Sequence, residues 1–319
     1  MEKITEPLLL EAQYREYVWG GSRLIPGKSP VAEAWMVFEN NLILNGPLAG
    51  KSLVEGVAAA GASLLGQAVY AQTGNRFPLL IKLLDCAQWL SLQVHPNDEL
   101  ALRLEGPGQY GKTEAWHFIE ADPAAEILCG LKQGTSRQAL EKGITEHNVL
   151  DLMQRLGVKT GDSILIRPGM IHALGPGMLV YEVQQTSDWT YRVWDWDRPA
   201  TPQRQLHIEK SLAVSDPSLT GSLIAAKAPA DGSQRQLVSC GYFDLCLLAA
   251  EKQAVQLDTR KETFHSLTVI EGSARLQGEG WQQPLSRFQS AVVPADAGAY
   301  SLVPDGACQV LKASAGTGQ

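Results

Sequence analysis

The sequence predicts a mainly β protein built as two barrels, with helical insertions in the N-terminal part. Three observations carry that reading. Short apolar and β-branched runs recur along the whole chain. Thirty glycines and 17 prolines punctuate them. Helical patterns intrude in only a few places, so this is not a βαβ series. Many short strands separated by Gly/Pro turns mark a sandwich or barrel.

The elements follow in order. Strand-like runs occur at Leu8–Gln13, Ala34–Val37, Leu79–Leu84, Leu90–His95, Ala115–Glu120, Ser163–Ile166, Met178–Gln184 and Tyr191–Trp194. Leu53 to Val69 is rich in Ala and Leu, with Ser52 available as N-cap. Ser136 to Leu156 carries a helical pattern that breaks near Gly143 and restarts at Thr145, a second capping residue. A short helix is expected over His207–Val214. Residues 216–235 are rich in Ser, Pro, Gly, Ala and Lys and read as a linker. Beyond it lie Gln236–Ala249, Thr263–Glu271, Ala274–Leu276, Ala291–Pro294, Tyr300–Val303 and Gln309–Lys312. Ala313–Gln319 reads as a frayed tail. The expected domains are therefore 1–215 and 236–319.

Composition bounds the function. A chain of 319 residues has room for about two domains. With 45% hydrophobic and 19% charged residues it is an ordinary globular protein. The net charge is −7, and no basic block occurs. Nucleic acid and anionic membranes are poor partners for such a surface, whereas a small anionic metabolite needs only one or two local cations. The apolar run Leu8-Leu9-Leu10 is too short for a signal peptide, and Gly56 to Tyr70 is too short to span a bilayer. Five cysteines without a CxxC pair point to reduced thiols in a cytoplasmic protein and away from a zinc–thiolate site.

The chemistry concentrates in four stretches. In Ser91-Leu92-Gln93-Val94-His95, strand alternation puts Ser91, Gln93 and His95 on one face. In Gly111-Lys112-Thr113-Glu114-Ala115-Trp116, Lys112, Glu114 and Trp116 share a face. Arg167-Pro168-Gly169-Met170-Ile171-His172 places a histidine just after a tight turn. Two His, a Glu and a Gln on strands of one barrel can ligate a divalent ion such as zinc, iron or manganese. The fourth stretch, Tyr181 to Arg198, packs Glu182, Asp188 and Arg192 among Trp and Tyr, as a hydroxyl-rich ligand requires. Singly, each has an ordinary explanation. His95 alone reads as a core or turn histidine, Lys112 as a surface amine, Arg192 as half of an ion pair. His117, His147, His207 and His265 read as structural, and Asp195 and Asp197 as holding the turn around Arg198.

The runs Phe77–Asp85, Ser91–Asp98, Gly111–Trp116, Arg167–Leu174 and Glu182–Arg198 together resemble the type I mannose-6-phosphate isomerase family in its compact bacterial form. The resemblance is strong over residues 8 to 212. It implies a cupin fold with two jelly-roll barrels, the C-terminal one metal-free. It implies one zinc ion per chain, held by Gln93, His95, Glu114 and His172. Ser91 and Lys112 match phosphate-end positions, Arg192 the catalytic arginine, and Glu182 and Asp188 acids of the substrate segment. Ala32 and Trp194 depart from the usual pattern, away from any ligand position. The implied reaction interconverts D-mannose 6-phosphate and D-fructose 6-phosphate through a cis-enediolate. Its base stays open between Lys112, Glu182, Asp188 and a zinc-bound water. Competing readings are an isomerase of another aldose, a non-catalytic sugar-phosphate-binding cupin, and an Fe(II) cupin dioxygenase, which Gln93 disfavours. The sequence leaves the oligomeric state open.

Overall fold

The computed structural model describes residues 3–28, 30–202 and 204–316. They form a mainly β fold with short helices, as the sequence predicts. No helix among them is long and apolar enough to cross a membrane. The chain divides into two compact units. One comprises Met1–Gln13, Trp35–Lys82 and Lys227–Gln319, and the other Tyr14–Ala34 and Leu83–Ala226.

This division differs from the one expected at 216–235. Residues 216–226 are not a free linker. Thr220 bridges Gly130, Ile224 bridges Ser163, and Leu219 and Leu223 pack on the core of the second unit. The first residues go with the C-terminal strands, because Leu8–Leu9 pairs with Ser290–Val293. Such pairing is non-local, and composition along the chain carries no trace of it.

In the first unit a six-stranded sheet runs in the order Leu8–Leu9, Ser290–Val293, His265–Glu271, Cys308–Ala315, Phe243–Ala250, Ser233–Ser239. A four-stranded sheet runs Val255–Asp258, Ala299–Pro304, Ser273–Gly278, Trp281–Ser286. One apolar cluster draws on both, with Leu267, Val269 and Val310 from the first and Leu257, Leu276 and Leu302 from the second. The expected tail is strand as far as Ala315, paired with Phe243. Thr317 to Gln319 lie outside the described residues. The helix expected from Leu53 to Val69 is three short pieces, Leu53–Ala60, Ala62–Leu65 and Gln67–Thr73. Gly61 and Gly66 interrupt them with positive φ. Ser52 does cap the first, in a reciprocal capping box with Glu55.

The second unit carries the residues of interest. A five-stranded sheet runs Tyr191–Trp194, Leu92–Val94, His172–Leu174, Glu126–Leu131, Met153–Gly157. Met178–Gln185, Glu114–Ala121 and Ser163–Ile166 are successive strands of another. Alternation gives the five-stranded sheet two buried faces. Leu92, Val94, Leu128, Ala173, Tyr191 and Val193 face one way, against Leu140, Ile144 and Val149. Ile127, Cys129 and Leu174 face the other way, into a core shared with Trp116, Phe118, Ile164 and Val180. Ser136 caps the helix Arg137–Thr145, and of the expected second half only a single 3-10 turn forms, Val149–Leu152. Thr145 ends the helix instead of capping a new one, its hydroxyl bonding back to Glu141 and Lys142 carbonyls. Met153–Gly157 is a strand paired with Glu126–Leu131. The helix Asp98–Glu105, capped by Asn97, is an element the sequence reading did not mark.

Candidate metal centre

Strand register assembles the site. His172 lies opposite Gln93 on one side and opposite Cys129 on the other. Arg192 also lies opposite Gln93. Arg192, Gln93 and His172 therefore form one row across three antiparallel strands. On the other sheet Glu114 lies opposite Gln184, and Trp116 opposite Glu182. Gly169 makes the turn before His172 with φ +85, and a Cβ there would meet the Val214 carbonyl oxygen at 3.0 Å. Gly111 passes directly beneath the Asn97–Asp98 backbone, where a Cβ would come within 2.5 Å. That close passage delivers Lys112 and Glu114 to the site.

His95, Glu114 and His172 converge so that one ligand atom from each lies within 4.8 Å of the others. All three are buried. His172 Nε2 is 3.3 Å from Glu114 Oε1, and His95 Nε2 is 3.5 Å from Glu114 Oε2. The Gln93 amide lies 3.4 Å from His172 Nε2. Both imidazoles are oriented from behind. His95 Nδ1 meets the Trp189 carbonyl at 2.9 Å, and His172 Nδ1 meets the Met170 carbonyl at 2.8 Å. A carbonyl accepts only, so each Nδ1 carries a proton, and the neutral form of either ring then turns its Nε2 lone pair toward Glu114. Such backbone partners fix the tautomer and aim of metal-ligating histidines.

Charge is balanced tightly. Lys112 Nζ lies 2.7 Å from Glu114 Oε2, 3.3 Å from His95 Nε2 and 4.0 Å from Glu182 Oε1. Burial, and then the Lys112 charge, push His95 down to about 3, so its imidazole is neutral. Burial works to raise Glu114, but Lys112 and the two histidines together outweigh it and hold the carboxyl well below its usual range. Glu182 is buried, and one of its oxygens accepts the Trp116 indole N–H at 2.8 Å. Ser91 is buried, with its hydroxyl 3.4 Å from Gln93 Oε1.

Arg192 is half-buried, and its Nε has no hydrogen-bond partner. Burial, and then the neighbouring Arg204 charge, lower its pKa. Arg204 in turn holds buried Asp195 through two bonds, of 2.9 and 2.6 Å. Asp195 also accepts from Arg198 at 3.1 Å, the turn-holding role expected of it. Asp188 is exposed on the loop beside Trp189, and its charge acts on Arg192.

The remaining histidines have other partners. His117 Nδ1 meets Ser163 Oγ at 2.9 Å, and His265 Nδ1 meets the Tyr300 hydroxyl at 2.8 Å. His207 Nδ1 accepts the Arg192 backbone N–H at 3.2 Å. His147 is exposed in a positive-φ turn. Sequence reasoning missed the Trp189 carbonyl, the Trp116–Glu182 bond and the Asp195–Arg204 pair. The first is a backbone group and leaves no mark in the sequence. The Trp116 indole had a signal, since a buried Trp needs an acceptor, whereas Arg204 lies beyond the stretches read.

The donor set fits a divalent ion of mixed nitrogen and oxygen preference: two bare imidazole nitrogens, a buried ionised carboxylate and an adjacent amide. Comparison with known proteins agrees. The family model for the type I phosphomannose isomerase catalytic domain matches residues 8–115. The mannose-6-phosphate isomerase ManA of Bacillus subtilis is 33% identical over 317 residues, covering 93% of this chain and 96% of that protein. The mannose-6-phosphate isomerase of Streptococcus mutans is 38% identical over 224 residues, covering 66% of this chain and 68% of that one. The crystal structure of mannose 6-phosphate isomerase from Bacillus subtilis superposes with a TM-score of 0.85 at 30% identity, covering 96% and 99% of the two chains. A zinc-bound mannose 6-phosphate isomerase structure shares the fold at 16% identity, with a TM-score of 0.76 over 97% and 99%. At 33% identity to such a relative over 93% of its length, this chain belongs to the type I phosphomannose isomerase family.

Proposed function

We propose that this chain is a zinc-dependent aldose–ketose isomerase of the cytoplasm, interconverting D-mannose 6-phosphate and D-fructose 6-phosphate through a cis-enediolate. One observation carries the reading. His95, Glu114 and His172 turn three ligand atoms toward one buried point, beside Gln93 and in line with Arg192. The names of the relatives, mannose-6-phosphate isomerases, support the substrate.

His95, His172, Glu114 and Gln93 are the residues to hold one zinc ion. When bound, zinc supplies Lewis acidity toward the oxygens of the open-chain sugar. The chain's own groups do the rest. The reaction removes a proton at C2 and returns one at C1, while negative charge gathers on oxygen. Arg192, protonated at any working pH, sets a fixed cation beside the ligand row to meet that charge. Lys112 lies between two carboxylates, which places it to hold or move a proton before any duty at the phosphate end. Glu182, held by the Trp116 indole, is the second group placed for proton transfer. Ser91 stands at the proposed phosphate end, and Asp188 reaches the substrate from its loop.

The test is isomerisation in deuterium oxide. An enediolate route puts solvent deuterium at C1 of the fructose 6-phosphate formed. Full retention of the substrate hydrogen would point to a hydride shift and overturn the enediolate. Turnover of another aldose in preference to mannose 6-phosphate would overturn the substrate. Binding without turnover would leave a sugar-phosphate-binding protein.

A further inference from the structure

The carbonyl that orients His95 stands on a loop. Residues 186–190 have no helical or strand pairing, and neither do residues 106–111. Each brings side chains to the other. The Trp189 indole Nε1–H donates to Gln109 Oε1 at 2.8 Å. Ser187 Oγ donates to the Tyr110 carbonyl at 2.8 Å. At the base of the pair, Gln185 Oε1 accepts the Thr113 backbone N–H at 2.9 Å, and its Nε2 donates to Asp98 Oδ1 at 3.1 Å. Asp98 Oδ1 also accepts the Gly111 N–H at 2.7 Å. The Trp189 carbonyl, 2.9 Å from His95 Nδ1, is the product of this mutual bracing.

We propose that Gln109 is a positioning residue for the metal centre. By anchoring the Trp189 indole it holds the Trp189 carbonyl on His95 Nδ1. That contact keeps the proton on Nδ1 and the Nε2 lone pair aimed at the ion. The inference rests on the metal-centre reading above and deepens it. The bracing works by leverage. A strand carbonyl is held by its ladder, but a loop carbonyl is only as well placed as the loop's side-chain anchors. Among those anchors, Gln109 alone bonds the side chain of the residue whose carbonyl is used.

The experiment measures zinc affinity of the full chain after chelation, by competition with a chromophoric chelator, alongside thermal unfolding of the metal-free protein. Gln109→Leu removes the acceptor, Gln109→Glu keeps one, and Trp189→Phe removes the donor. Loss of such an outer partner weakens metal binding about tenfold or more. The expected result is that loss for Gln109→Leu and Trp189→Phe, with Gln109→Glu close to wild type. Wild-type zinc affinity in Gln109→Leu would overturn the proposal. So would an equal loss in Gln109→Glu and Gln109→Leu, which would show loop damage instead of a lost acceptor. Failure of the wild-type chain to bind zinc would overturn the metal-centre reading itself, and the two failures are thereby distinguished.

Discussion

Lys112 lies 2.7 Å from the Glu114 carboxylate, and both side chains are buried. The pair defines the electrostatics of the site. A buried carboxylate and a buried ammonium tolerate desolvation only together. Glu114 is therefore ionised and ready for a cation, and Lys112 is kept beside the candidate ligands Glu114 and His95.

Lys112→Met should separate the two roles. It leaves Glu114 buried without its cation, a loss of about 3–5 kcal/mol for a broken buried pair. Zinc would restore a positive partner. Thermal unfolding should show a large loss for the metal-free variant and a much smaller one for the zinc-loaded variant. Turnover of the loaded variant should fall by about 10² or more, the usual contribution of a positioned proton-transfer group. Normal turnover would remove Lys112 from the proposed machinery.

Arg192→Ala should lower kcat by about 10²–10³, the typical loss of one electrostatic donor. The fold should survive, since the Arg192 Nε has no hydrogen-bond partner to lose. A circular dichroism spectrum and melting curve like wild type, with the kinetic loss, is the expected pair of results. An unfolded variant would make Arg192 structural.

Acid should destabilise the protein through two buried histidines outside the candidate ligand set, His117 and His265. Burial lowers His117 to about 4, and burial with the Lys312 charge lowers His265 to about 3, against an ordinary value of 6.5. A lowered histidine means that the unfolded chain takes up the proton first as pH falls. Stability is thus full above the unfolded value and is lost as pH drops below it toward the folded value. By about pH 5 each contributes a loss on the order of 2 kcal/mol. Urea unfolding of metal-free protein at about pH 7.5 and about pH 5 should show a smaller drop for His265→Gln than for wild type. Equal drops would contradict the assignment.

Much of the site was legible because strands alternate with period two. That rule put Gln93 and His95 on one face with Leu92 and Val94 on the other, and the structure places them so. The Pro168-Gly169 turn marked His172 in the same way. What stayed hidden depends on distant segments. The helix Asp98–Glu105 is short and mostly polar, so its apolar period is weak. Met153–Gly157 read as helix because its strand character comes from pairing with Glu126–Leu131. Taken singly Lys112 read as a surface amine; the face it shares with Glu114 drew it into the site, but its approach to Glu182, seventy residues on, could not be read. The membership of Leu8–Leu9 in the C-terminal sheet is likewise a matter of partners that no local window contains.

The most direct test of the account joins metal content to turnover. Mannose 6-phosphate isomerisation would be followed on protein of assayed zinc content, before and after chelation, after zinc add-back, and in Glu114→Gln. The account predicts one zinc per chain, activity lost on chelation and regained with zinc, and little zinc or turnover in Glu114→Gln. Undiminished turnover in folded, metal-free protein, or full zinc occupancy in Glu114→Gln, would contradict it.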